Sequence, residues 1–209
     1  DYEEIRNWPK QFGDVMPGDI KYKDINGDGV IDDNDKVAIG ATKKPNFTYG
    51  FGVSAKWKGL DVNVHFQGVG KSTYFINGST VYMFSGGNSD GDGWGNVMKE
   101  MAEGNRWILG VNEDPNAEYP RLTYGKNDNN NRASTYWLRN GAYLRLKTLD
   151  IGYTLPASLV RKAHMNTVRI FFTGTNLLTF SKFKLWDPEM GSSSYPITTS
   201  LLFGFSVNF

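Results

Sequence analysis

From Phe47 onward the chain alternates. Odd positions carry Phe47, Tyr49, Phe51, Val53, Ala55 and Trp57, and the positions between them carry Thr48, Gly50, Gly52, Ser54 and Lys56. A repeat of two is the strand period, in which successive side chains point to opposite faces. Lys58-Gly59 reads as a tight turn, after which Leu60, Val62, Val64 and Phe66 alternate with Asp61, Asn63, His65 and Gln67. The two stretches predict a β-hairpin with one apolar and one polar face. Over 142–155 the phase changes: Leu144 and Leu146 share one parity, and Leu149, Ile151, Tyr153 and Leu155 share the other. A one-residue slip turns a strand over, so a β-bulge is expected near Lys147–Thr148. Residues 167–179 set Val168, Ile170 and Phe172 against Arg169 and Thr173, with Phe171 breaking the pattern. The last stretch sets Thr199, Leu201, Phe203, Phe205, Val207 and Phe209 against Ser200, Gly204, Ser206 and Asn208, with Leu202 as its exception.

The chain therefore reads as all-β, with antiparallel strands at about 46–57, 60–70, 142–155, 167–179 and 198–209. Residues 1–45, polar and rich in turns, form one expected region, an extracellular loop; 46–209 form the second, with 71–141 as a long extracellular loop. Strands in globular proteins run about 5–6 residues, whereas segments of about 10 residues with aromatic ends fit strands that cross lipid. Short connections (58–59, 156–167) alternate with long ones (71–141, 180–197). That asymmetry belongs to transmembrane β-barrels of the outer-membrane kind, with short periplasmic turns and long external loops. Five strands do not close such a barrel, and bare sheet edges are not tolerated in lipid. Further strands, most simply from an N-terminal part of the same protein, are expected to complete it. The opening at Asp1, in a polar loop without Met, reads as a processed or cut product, since surface loops are where proteases cut.

Composition narrows the chemistry. No Cys and only two His among 209 residues argue against a thiolate site or a His-rich zinc site. A formal charge of +1 gives no electrostatic reason for a nucleic-acid partner. No run of about 18 apolar residues is present, a test that barrel strands escape because their apolar residues alternate.

One motif speaks for a metal. In DINGDGVIDDND, Asp24, Asn26, Asp28, Asp32 and Asp35 fall at positions 1, 3, 5, 9 and 12 of a calcium loop. Val30 would add its carbonyl at position 7, Gly29 the sharp turn at position 6, and Ile31 an anchor to a core. Hard oxygen donors at this spacing suit a structural Ca2+. Position 12 is Asp where bidentate Glu is usual, as in dockerin-type loops, and the alternative is an Asn/Asp/Gly turn without metal. Loops this long are often functional, and Tyr74, Tyr82, Trp94, Trp107 and Trp137 in 71–141 are candidates for substrate or lid contact. The competing reading is that these aromatics pack the loop onto itself. Gly87-Asn88-Ser89-Asp90-Gly91 matches a hydrolase elbow by chance, without the strand–turn–helix it needs. Asp90 and Asp92 are a weak second cation pair, and Asp187 with Glu189 reads as a solvated loop. The polar positions Asp61, Asn63, His65, Gln67, Arg145, Lys147 and Arg169 are expected to line a lumen or meet a plug.

Several ordered motifs share one resemblance. PGDIKYKDINGDGVIDDNDKVAIG, PNFTYGFGVSAKWKGLDVNVHFQG, WLRNGAYLRLKTLDIGYTLP, TGTNLLTFSKFKLWDPEM and the aromatic last strand resemble the C-terminal part of SusC/RagA-type TonB-dependent transporters of Bacteroidota outer membranes. The resemblance implies the last five strands of a barrel of about 22 around an N-terminal plug. It also implies a SusD-like lipoprotein lid and import of oligosaccharides or peptides, energised by the TonB system through a part absent from this chain. Outer-membrane lipid and the rest of the barrel and plug would be its partners, and no enzymatic activity is implied. The residues alone leave open a soluble, calcium-stabilised β-sandwich carbohydrate-binding module, and less favourably a glycanase domain.

Overall fold

The computed structural model describes residues 1–79, 81–85, 95–190 and 195–209. The alternating segments are strands. β1 (Phe47–Trp57), β2 (Leu60–Gly70), β5 (Tyr143–Thr154), β6 (Thr167–Ser181) and β7 (Ser200–Asn208) form an antiparallel sheet in the order β1-β2-β5-β6-β7. A second, two-stranded sheet pairs β3 (Thr73–Phe75) with β4 (Leu138–Asn140). Three short helices complete the regular structure: α1 (Tyr2–Asn7), α2 (Lys99–Glu103) and α3 (Ala157–Val160). Among the described residues no helix is long and apolar enough to cross a membrane, which says nothing of strands.

Register explains the two faces of the main sheet. Trp57, Leu60, Tyr153, Ile170 and Phe205 lie in one cross-strand row, and Ala55, Val62, Ile151, Phe172 and Phe203 in the next. On this apolar face Phe51 stacks on Phe66 at 5.1 Å and Phe172 tilts against Phe203 at 4.9 Å. The face is nonetheless exposed, Val53 at 67% and Phe203 at 75%. The opposite face carries Lys56, Asp61, Asn63, His65, Asp150, Arg169 and Thr173.

The phase change in β5 is a bulge. Register shifts between His65 and Phe66 on β2 opposite Thr148 and Leu146, which leaves Lys147 as the extra residue. It shifts again where Leu146 and Thr148 face Leu178 and Thr175 of β6. There Asn176 takes φ +53° and its side chain donates to the Thr198 carbonyl at 3.0 Å. The two irregularities thus adjoin, which keeps the apolar parity continuous across β2, β5 and β6. Phe171, which interrupts the alternation, points to the polar face, where its ring fills the space that a Cβ on Gly204 would occupy. A large side chain over a glycine is a cross-strand fit.

The described chain separates into two compact units, residues 1–40 with 75–138, and 41–74 with 139–209. This division differs from the expected boundary near residue 45: the N-terminal region shares its interior with the long loop. Asn130 Oδ1 accepts from the Ile20 amide at 2.9 Å, and Tyr22 Oη donates to the Asn129 carbonyl at 2.7 Å. The Trp107 ring covers Gly18, whose φ of +87° and missing Cβ both suit it to that place.

Candidate functional site

The polar face of the sheet carries two charged clusters. In the first, Arg169 of β6 reaches across Gly152, where any Cβ would collide with the guanidinium. It donates to both oxygens of Asp61 at 3.1 and 2.5 Å and to Asp150 at 2.6 Å. Thr173 Oγ1 donates to the other Asp150 oxygen at 2.6 Å. Three strands are bridged by one cation between two carboxylates.

The second cluster holds a loop. Arg145 of β5 is 1% exposed, and its Nη2 donates to both Asp187 oxygens at 2.6 and 2.7 Å, with Glu189 at 3.6 Å from Nη1. Asp187 is therefore the counter-ion of a buried arginine, which corrects the solvated-loop expectation for it, while Glu189 stays exposed at the edge of the cluster. The reason is tertiary: the segment after β6 folds back, with Phe183 edge-on to Tyr74 at 5.3 Å and to Trp186 at 4.9 Å. Burial, and then the charge of Asp187, push the Tyr74 hydroxyl up to about 12.

The expected contact aromatics divide. Trp137 is 1% exposed, its indole donates to the Asn130 carbonyl at 2.7 Å, and Tyr82 and Tyr136 meet its ring edge-on. Tyr74 is 5% exposed. Both rings are thus buried, as the reading of a loop packed onto itself expects. Tyr82 and Trp107 are half-buried. Trp94, Gly87–Gly91, Asp90 and Asp92 lie outside the described residues.

The calcium-like loop closes on its own amides. Asp24 accepts from Gly27 N at 2.6 Å and Gly29 N at 2.9 Å, Asn26 from Asp28 N at 3.0 Å, and Asp28 from Val30 N at 2.9 Å. Asp35 accepts from Ile25 N and Asp32 N, and those amide donors hold its carboxyl below the ordinary value. Asp32 caps the 3-10 turn Asp33–Asp35. Ile31 is buried, and its amide donates to the Lys10 carbonyl at 2.9 Å, so position 8 does anchor the loop. The donors are hard oxygens, which suits calcium, but among the described residues no three acidic side chains converge at ion-binding distance. The fit is one of donor type and loop course only.

A buried polar network had no signal beyond the Pro17-Gly18-Asp19 turn. Asp19, fully buried, pairs with Arg121 at 2.8 Å and accepts from Asn130 at 2.8 Å, Asn127 at 3.3 Å and the Met16 amide at 2.9 Å.

No protein-family model matches the chain. It is 28% identical over 208 residues to TonB-dependent receptor P26 of Formosa agariphila, covering 92% of this chain and 20% of the receptor. To TonB-dependent receptor P3 of the same organism it is 33% identical over 178 residues, covering 85% of this chain and 16% of the receptor. The RagAB peptide importer in its open-open state matches with a TM-score of 0.68 at 25% identity, over 95% of this chain and 22% of that one. The closed-closed state matches with 0.67 at 25% identity, over 98% and 22%. The chain thus spans 20% or less of the curated relatives it matches. These relatives are receptors and an importer, not enzymes.

Proposed function

We propose that this chain, homologous to part of TonB-dependent receptors and of the RagAB importer, supplies the C-terminal strands of a SusC/RagA-type transporter in the outer membrane. The observation that carries the reading is the sheet with its faces inverted. One face is a continuous apolar surface left exposed, and the other holds the ion pairs of Arg169 and Arg145. Lipid suits the first face and a polar lumen the second. The free edges of β1 and β7 then pair with further strands of the same barrel, whose plug fills the lumen. A SusD-like lipoprotein closes the external side, and TonB acts through the rest of the protein. Peptide is the favoured cargo, from the name of the RagAB importer, with oligosaccharide as the alternative. Tyr82 and Trp107 are the contacts proposed for cargo or lid.

The test is size-exclusion of natively extracted material in detergent, followed by a denaturing gel and intact-mass analysis of each band. This segment is expected with the remaining strands and a lipoprotein, and only in detergent. Elution of the segment as a soluble monomer overturns the reading in favour of a sandwich module.

Calcium on Asp24, Asn26, Asp28, Val30, Asp32 and Asp35 is the second part of the proposal. Loop course, oxygen donors and the Ile31 anchor support it. Titration of Ca2+ into the chelator-treated transporter is expected to give saturable binding that Asp24→Ala with Asp35→Ala removes; heat identical in both proteins refutes it.

A further inference from the structure

The short-turn end of the sheet carries cations that form no ion pair among the described residues. Lys58, in the β1–β2 turn at φ +46°, places its Nζ 4.9 Å from the centroid of the Trp57 ring. Trp57 stands on the apolar face and is 69% exposed. Lys58 therefore reaches along the outside of the sheet and not over its polar face. The Thr154 amide donates to the Gly59 carbonyl at 2.8 Å, which joins this turn to the β5–β6 connection. There α3 and the turn after it expose Arg161 and Lys162, while Val160 is buried against the fold and Leu159 beside it is 57% exposed. Among the described residues none of Lys58, Arg161 and Lys162 forms an ion pair. The acids of this unit are committed elsewhere: Asp61 and Asp150 to Arg169, and Asp187 and Glu189 to Arg145.

Exposed aromatic and aliphatic groups set beside unpaired cations are what the boundary between acyl chains and headgroups selects. We propose that this rim binds the phosphates of anionic phospholipid headgroups in the leaflet on the short-turn side, through Lys58, Arg161 and Lys162, with Trp57 and Leu159 seated at the acyl boundary. Charge complementarity supplies the selectivity, and the apolar pair explains why a bilayer lipid and not a free anion is the occupant. The inference rests on the outer-membrane reading above, which places that leaflet inside.

The experiment uses the full-length transporter containing this segment, incorporated into vesicles of phosphatidylcholine alone or with phosphatidylglycerol, then extracted and assayed for retained lipid by native mass spectrometry. Failure to float with either vesicle overturns the outer-membrane reading itself. With insertion achieved, phosphatidylglycerol is expected to be retained over phosphatidylcholine by about tenfold. Lys58→Gln with Arg161→Gln and Lys162→Gln is expected to abolish that preference, and Lys58→Gln alone, for use if the triple variant misfolds, to reduce it by several-fold. Lys182→Gln with Lys184→Gln, at the opposite end, is expected to leave it intact. Equal retention of both lipids overturns the inference. So does a preference that survives the triple variant, equal loss in the opposite-end variant, or displacement by millimolar inorganic phosphate.

Discussion

The two units of this chain are built on opposite plans. Residues 41–74 with 139–209 hold thirteen Lys and Arg against four Asp and Glu, a formal +9. Residues 1–40 with 75–138 hold ten against eighteen, a formal −8. The overall +1 is thus a near-cancellation of two strongly biased regions. Surface exposure differs as well. The acidic unit encloses Met101, Ile76, Val81 and Trp137, whereas the sheet unit, which encloses Val69, Tyr143 and Phe183 beside Arg145, leaves the sheet residues Val53, Phe203 and Phe205 outside. Composition averaged over a chain conceals such a contrast, because opposite charges in different segments cancel in the sum.

The contrast can be broken from either side in the full-length transporter. Trp137→Ala should cost about 3–5 kcal/mol by opening a large void, with increased hydrogen exchange confined to the acidic unit. Arg145→Met should cost less, about 1–3 kcal/mol, by leaving the half-buried Asp187 without its partner, and should instead free the segment after β6 to proteolysis. Uniform loosening by either variant would mean the units are not independent.

Val53→Arg sharpens the comparison. At an exposed position in water it should be near neutral, but at mid-bilayer it should cost about 2–4 kcal/mol, read as refolding yield in lipid. Ser54→Arg, one residue on and on the polar face, should cost well under half of that. Equal costs would remove the lipid-facing assignment.

Smaller effects belong to the loop. Calcium at ten times its dissociation constant should stabilise the acidic unit by about 1.4 kcal/mol, seen as a rise in its melting temperature that chelator reverses. Acid should loosen the same loop. Because the folded carboxyl of Asp35 lies below its ordinary value, its contribution is present above that value and is lost as pH falls through the lower, folded one. The Ile25 and Asp32 amide shifts should report the change below about pH 4; a transition centred near neutrality would assign it to another group.

Local pattern alone determined the sheet. Period two identified the strands, the parity change located the bulge at Lys147, and the loop spacing singled out Ile31 as an anchor, because each signal lies within a few residues along the chain. Phe171 read as a defect, since its justification, Gly204, is on another strand. Asp187 read as solvated, since Arg145 lies about forty residues away and only the folded-back segment brings them together. The aromatics of the long loop carried no label for inside or outside: Trp137 and Trp107 are the same residue type in the same polar stretch, one enclosed and one half-open. Side-chain periodicity is a property of the backbone and survives in any context. Partnership across the chain depends on which segments close together, and that was settled by tertiary structure.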